Sequence, residues 1–325
     1  MFRFLARVAC IVAACTVLIC ITANGQQGAL QRQRQLNPAD GITVVLIGTG
    51  IPLPNPQRGT AATLVIAGDR SILVDTGREC MVGLSSAGLN DVSMVLYTHY
   101  HSDHIAGLGE LLVNRGINGA EKPLPVIGPM GAKRAVDGFR EAYALETSYR
   151  VAHHGDHWPA HAMDCDVQER NAGVVYDEGD LKITMFDVDH EPVVPAVGYR
   201  FDFKGQSVVV SGDTKKTAKT IEMAKDCDIL VHEATDLEML QRLGTALKAT
   251  DPRRAAMLSD MLSHHTSTTE AAEVARDANV KKLVLTHLVP SIPPEDGPEK
   301  NFIRGMADIY KGPIVVGRDG MEIRP

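Results

Sequence analysis

From Ile42 onward, short runs of β-branched and aliphatic residues recur, and several lead directly to a side chain that binds metals or moves protons. SILV stops on Asp75, MVLY continues through Thr98 to His99, and ITMFDVD stops on His190; VVVSG stops on Asp213, ILV on His232 and Glu233, and LVLT on His287. Strands of one sheet bury their apolar bodies and open to solvent at their carboxyl ends, so residues placed after such runs share a rim. That rim is the candidate site. Runs this apolar need cover on their faces, which confines the chain to layered α/β or α+β architectures.

The remaining pattern is consistent with this. Strands are expected at ITVVLIG, ATLVIAG, SILVD and SMVLYTH, then at residues 124–127, 181–188, 196–203, 207–210, 229–231 and 282–286. Helices are expected at 105–114, 131–144, 216–225, 237–247 and 268–278. The last begins after Ser267, with Glu270 three residues on, the spacing of a capping box. No Gly/Ser/Pro-rich linker divides the chain after residue 41, so 41–325 reads as one domain. With 325 residues, 44% of them hydrophobic, a large core is available. The formal charge of −7 argues against nucleic acid and anionic membrane surfaces as partners, because both are held by a basic face.

The first 25 residues are different in kind. Arg3 and Arg7 precede the apolar run VACIVAACTVLICITA, and Ala23-Asn24-Gly25 places small residues at the −3 and −1 positions of a cleavage site. Residues 1–25 therefore read as a secretory signal, which places the protein in the periplasm or outside the cell. An uncleaved anchor, or a lipoprotein processed at Cys15 after Val12-Ala13-Ala14, is the alternative, and is the only membrane attachment the sequence offers. Residues 26–40, QQGALQRQRQLNPAD, read as a flexible tether. The two arginines go with the leader, taking the charge from −7 to −9. Three cysteines then remain, Cys80, Cys165 and Cys227, enough for one disulfide at most or for three buried thiols.

The most specific signal is Thr98-His99-Tyr100-His101-Ser102-Asp103-His104. H-x-H-x-D-H delivers four ligand-type side chains from one loop, and strand alternation sends His99 and His101 one way while Asp103 and His104 turn another. Imidazole nitrogen with carboxylate oxygen suits Zn(II) or a similar ion. A second histidine-rich stretch, His153 to His161, reads better as a pocket wall bearing Trp158 and His154 than as a further metal site. Residues 163–173 and 290–300 carry no readable motif and are taken as loops.

These residues resemble the metallo-β-lactamase-fold superfamily over nearly the whole chain after the leader. Ser71-Ile72-Leu73-Val74-Asp75-Thr76-Gly77 is similar to its first motif, THYHSDH to its second, His190 to its third, Ser211-Gly212-Asp213-Thr214 to its fourth and His287 to its fifth. The resemblance implies an α/β fold, the αββα four-layer sandwich, with a dinuclear site at one edge. It implies two zinc ions per chain, manganese or iron serving as well. His99, His101 and His190 would hold one ion, Asp103, His104 and His287 the other, and Asp213 would bridge them. Asp75 would orient a ligand imidazole by hydrogen bond without touching metal.

Departures narrow the branch. The superfamily's zinc β-lactamases carry Cys or Ser where Asp213 stands, and its glyoxalase-type members carry Gly-His-Thr around the third-motif histidine, which here is Asp189-His190-Glu191. The strings from Asp189 to Arg200, His232-Glu233-Ala234-Thr235 and His265-Thr266-Ser267-Thr268 resemble the ribonuclease Z and arylsulfatase-like branch, whose members hydrolyse anionic esters. By that resemblance a metal-bridging hydroxide attacks, and Glu233 with His265 relays a proton to the leaving group; Asp103 joins them among the catalytic residues. His264 is adjacent, but the spacing to Ala271-Ala272 favours His265. In ribonuclease Z the arm that grips tRNA lies between the third-motif histidine and the bridging aspartate, whereas His190 and Asp213 are only 23 positions apart. With the leader and the charge, this makes an exported hydrolase of small phosphodiesters or aryl sulfate esters the expected function, with nucleic acid disfavoured as a partner. The alternatives are a ribonuclease Z-type tRNA 3′-processing endonuclease, a lactonase, and a non-catalytic zinc-binding envelope protein. A homodimer is compatible with all of them.

Overall fold

A computed structural model describes residues 33–325. The leader read at 1–25, and the tether as far as residue 32, lie outside the described residues. Leu36–Pro325 form one compact unit. From Leu36 the chain is already docked, with Leu36 against the core and the Pro38 carbonyl accepting from Lys204 Nζ at 2.6 Å.

Two seven-stranded sheets lie face to face. The first takes, in chain order, β1 (Ile42–Gly48), β2 (Ala62–Ala67), β3 (Arg70–Val74), β4 (Met94–Leu96), β5 (Leu124–Gly128) and β6 (Cys165–Glu169), with β14 (Glu322–Ile323) beside β1. The second takes β7 (Gly173–Glu178), β8 (Leu181–Asp187), β9 (Val197–Phe203), β10 (Gln206–Val210), β11 (Ile229–Thr235), β12 (Leu283–Val289) and β13 (Ile314–Val316). Each sheet is antiparallel at one side and parallel at the other.

The sequence runs look continuously apolar because both faces of each strand are covered. Val44 and Leu46 point into the layer between the sheets, where they join Val74 and Leu96 against Phe201 and Val210. Val45 and Ile47 point the other way, under the helices Cys80–Ser86 and Leu108–Ile117. On the far side, Val209, Leu230 and Leu285 lie under the helix Thr268–Asp277, which supplies Ala271, Ala272 and Ala275. Helix, sheet, sheet and helix are therefore stacked in four layers, the expected αββα sandwich. The capping box at Ser267 and Glu270 is formed in both directions.

Several boundaries differ from the sequence reading, each for a physical reason. Strand β11 runs on through His232, Glu233 and Ala234 to Thr235, and β12 runs through His287 to Val289, because the parallel pairing between them continues past the apolar runs. The stretch 163–173 is not a plain loop. It holds β6, an edge strand whose polar sequence CDVQE carries no strand signal. Residues 290–300 enter the helix Asp296–Phe302. All three cysteines are free, so no disulfide forms among them; burial pushes each thiol up to about 12 and leaves it unreactive at neutral pH. No helix among the described residues is long and apolar enough to cross a membrane.

Phe201 is fully buried between the sheets. Phe201→Ala should destabilise the protein by about 3–5 kcal/mol, read as a lower urea midpoint at unchanged slope.

Candidate metal centre

The first motif turns immediately after β3. Asp75 sits at φ 63, a left-handed conformation that a non-glycine residue adopts only when its surroundings enforce it. Three contacts enforce it here. Asp75 Oδ1 accepts from the Thr98 amide at 2.8 Å, and Oδ2 accepts from Thr98 Oγ1 at 2.7 Å and meets His104 Nδ1 at 2.7 Å. With Nδ1 engaged, His104 presents Nε2 to the site, where it is buried without a hydrogen-bond partner. Burial opposes charge on His104, but the carboxylates of Asp213 and Asp75 outweigh it and hold the imidazole well above its usual range.

Around this anchor the seven expected ligand residues come together. One ligand atom from each of His99, His101, His190 and Asp213 lies within 4.8 Å of the others, and Asp103, His104 and His287 form a second such group. Asp213 Oδ2 stands between the two groups, 3.8 Å from Nε2 of His99 and of His190 and 3.4 Å from Nε2 of His104 and of His287. Burial alone would raise the Asp213 pKa, yet the charges of His287 and His104 hold the carboxylate well below its ordinary range. Asp103 Oδ2 meets His287 Nε2 at 3.2 Å. His190 points Nδ1 at the His264 carbonyl, 3.0 Å away, and its Nε2, like that of His104, is buried and unpartnered. His101 is the exposed member.

His287 reaches the site through a bulge that no sequence pattern announces. Glu233 pairs with Thr286 but Ala234 pairs with Leu288, so His287 is an extra residue in β12, at φ 44. A bulge re-aims a side chain that regular alternation would point elsewhere. Gly77, two residues after Asp75, is required for a related reason. A Cβ there would stand 2.5 Å from the Thr60 carbonyl and 2.6 Å from that of Asp103.

Glu233, inside β11, accepts from the Thr214 amide at 2.7 Å and meets His265 Nδ1 through both oxygens, at 2.9 and 3.0 Å. His265, not His264, makes this pair. His264 contributes its carbonyl, and its ring stays partly exposed. Burial, then the charge of Asp213, pushes the Glu233 carboxyl well up, while burial takes His265 down to about 4, so the surroundings work against charge on both members of the pair. Thr98, Thr214 and Thr266 were not singled out from sequence. Their role lies in hydrogen bonds, such as Thr266 Oγ1 to the Thr214 carbonyl at 2.5 Å, and the only signal was their place beside a ligand-type residue. The stretch 153–161 stays apart from the site. His153, His154 and His157 are exposed, His161 pairs with Asp164, and Trp158 is buried against Gly116 and Ala162.

Two buried imidazole nitrogens without partners, converging with carboxylate oxygens, make up the donor set that divalent zinc-like ions take. The His/Asp groups are therefore candidate metal-binding clusters. A family model described as "Beta-lactamase superfamily domain" matches residues 70–288. Ribonuclease Z of Mycobacterium bovis (strain BCG / Pasteur 1173P2) is 36% identical over 294 residues, covering 87% of this chain and 99% of that protein. The chain belongs to the ribonuclease Z family of the beta-lactamase superfamily. Ribonuclease Z of Mycobacterium avium (strain 104) is 37% identical over 286 residues, covering 86% of this chain and 96% of its own. Two solved structures share the fold. The metallo-beta-lactamase fold protein YhfI from Bacillus subtilis has a TM-score of 0.61 at 21% identity, and human tRNase Z, short form, has 0.60 at 19%; each is matched over 87% of this chain and 98% or more of its own. The chain is thus a hydrolase of this superfamily.

These matches correct three expectations. The exported hydrolase of small phosphodiesters or aryl sulfate esters gives way, because a relative matched along 99% of its length carries the name Ribonuclease Z. The exclusion of nucleic acid falls with it. It rested on the leader, on the short interval between His190 and Asp213, and on a whole-chain charge of −7, a sum that does not fix the potential at one rim. Placement in the periplasm or outside the cell rested on the leader read at residues 1–25 and is withdrawn on the same finding; those residues lie outside the ones described.

Asp75→Ala should leave the Thr98 amide and His104 Nδ1 buried and unpaired, costing at least about 1–3 kcal/mol in urea unfolding with a chelator present, so that ion binding does not contribute. Asp75→Asn, which keeps an acceptor for Thr98, should cost less.

Proposed function

We propose that the protein is a dinuclear metal-dependent endoribonuclease of the ribonuclease Z type, cutting a 3′ extension from precursor tRNA. The observation that carries this reading is the near-complete overlap with the Mycobacterium bovis ribonuclease Z, 36% identical over 99% of its length. The site geometry supports it. His99, His101 and His190 would hold one ion, Asp103, His104 and His287 the second, and Asp213, whose Oδ2 faces both groups, would join them. Two zinc ions, when bound, supply the positive charge that makes water a competent nucleophile near neutral pH and offsets the charge growing on the phosphate.

The chain's own residues do the rest. Asp75 holds His104 in one tautomer, with Nδ1 engaged and Nε2 free, and so fixes which nitrogen faces the site. The departing ribose oxygen needs a proton. His265 is placed to give one from Nε2, with the Glu233 carboxyl held against its Nδ1 to exchange the compensating proton. Thr214 steadies Glu233 through its amide. Between His190 and Asp213 the chain forms only the hairpin of β9 and β10, so elements elsewhere must grip the RNA.

Protein loaded with zinc or manganese should cut a precursor tRNA at its 3′ trailer, lose that activity on chelation and regain it when the ion is restored. Asp213→Ala should abolish cleavage and lower metal content. His265→Ala should keep the metal and slow cleavage by about 10²–10⁴-fold. If fully metal-loaded protein leaves the trailer intact beside an active control, the proposal is wrong.

A further inference from the structure

The residue between the two histidines His99 and His101 turns its side chain away from them and into a groove. Tyr100 packs over Gly131, where a Cβ would stand 2.9 Å from the ring, and its Oη donates to the Pro129 carbonyl at 2.5 Å. The edge of Tyr97 backs it at 6.1 Å between centroids. The ring is therefore held in one orientation. Beside it an open, apolar groove of about 570 Å³ runs along the helix Ala132–Ala142, with Tyr100 at one end, Phe139 partly exposed in its wall and Gly138 on its flank. Arg134 stands on the same wall, exposed and in no ion pair among the described residues. The neighbouring Lys133, in contrast, is tied to Asp137.

We infer that this groove is a nucleobase subsite, in which a base flanking the scissile phosphodiester stacks on Tyr100 and Phe139 while Arg134 meets the adjoining phosphate. The inference rests on the RNA reading above and adds to it a place where the substrate is held. Three features favour a base over another occupant. The groove lies close to the metal centre along the chain, because Tyr100, which lines it, is the immediate neighbour of both His99 and His101. A fixed tyrosine ring with a second aromatic side chain and an unpaired guanidinium beside it is the chemistry that single-stranded nucleic acid meets, since stacking tolerates any base and the cation tracks the backbone. The volume lies in the range of small-molecule sites. A site of this kind would also supply some of the grip that the short hairpin between His190 and Asp213 does not.

Gly138 provides the test. A Cβ built there meets no atom within 4 Å, and leucine is a better helix former than glycine, so Gly138→Leu should fold at least as well while filling the groove. Wild type and Gly138→Leu are compared on precursor tRNA and on the same RNA carrying an abasic ribose on either side of the cleaved bond. For one of the two flanks, the abasic change should lower wild-type kcat/KM about tenfold, the order of one stacked base. Gly138→Leu should lose a similar factor on the intact RNA and little more on the abasic one, with unchanged metal content. Arg134→Ala should weaken both RNAs equally. If the two losses multiply at both flanks, or Gly138→Leu cuts intact RNA as well as wild type, the subsite is overturned while the RNA reading stands. If wild type cuts no RNA, the RNA reading fails and the subsite with it.

Discussion

Five imidazoles and two carboxylates converge where two apolar sheets meet, most of them buried, and the molecule is arranged around keeping those charges and lone pairs compatible. A buried polar cluster is costly unless each member has a partner. The cost is met outside the cluster. Asp75, itself held by Thr98, engages one nitrogen of His104, the His264 carbonyl engages one of His190, and Thr98 Oγ1 lies 3.1 Å from Nδ1 of His99. What is left turned inward includes the Nε2 atoms of His99, His104, His190 and His287, each within 3.8 Å of one oxygen of Asp213.

The layered fold is what makes such a set affordable in sequence terms. Parallel strands bring carboxyl ends to one edge, so short apolar runs can each deliver a polar residue without disturbing the layer behind it. That is why much of the site could be read directly from the chain: Asp75, His99 and Asp213 all follow β-branched runs closely. His287 was readable as a residue type but not as a geometry, because a bulge depends on how two distant strands pair. Glu233 lies within a strand, not at its end, since pairing with β12 continues beyond the apolar run. The polar edge strand β6 and the helix Ala144–His154 gave no signal because neither buries a regular face: the helix has no buried residue at all.

Charge was the least informative quantity in the sequence. A sum of −7 treats Lys133, already neutralised by Asp137, and Arg134, which has no such partner among the described residues, as equals. The distinction is spatial, and only the fold supplies it. The three cysteines are a parallel case: their number allowed a bridge, whereas their separate burial, two in one core cluster and one in another, leaves all three as thiols.

One feature of the site has a mechanical side. Each ligand group takes members from both sheets: His99 and His101 follow a strand of the first sheet and His190 one of the second, while Asp103 and His104 come from the first and His287 from the second. The backbone already crosses the gap at the same place, with the Val197 amide donating to the Thr98 carbonyl at 3.0 Å and Tyr199 Oη to that of Tyr97 at 2.6 Å. Whatever joins the members of either group also clasps the two halves of the sandwich, and the second group, from Asp103 to His287, closes a chain loop of 184 positions, most of the domain. In a protein without a disulfide among its described residues, that edge is where its two halves are fastened.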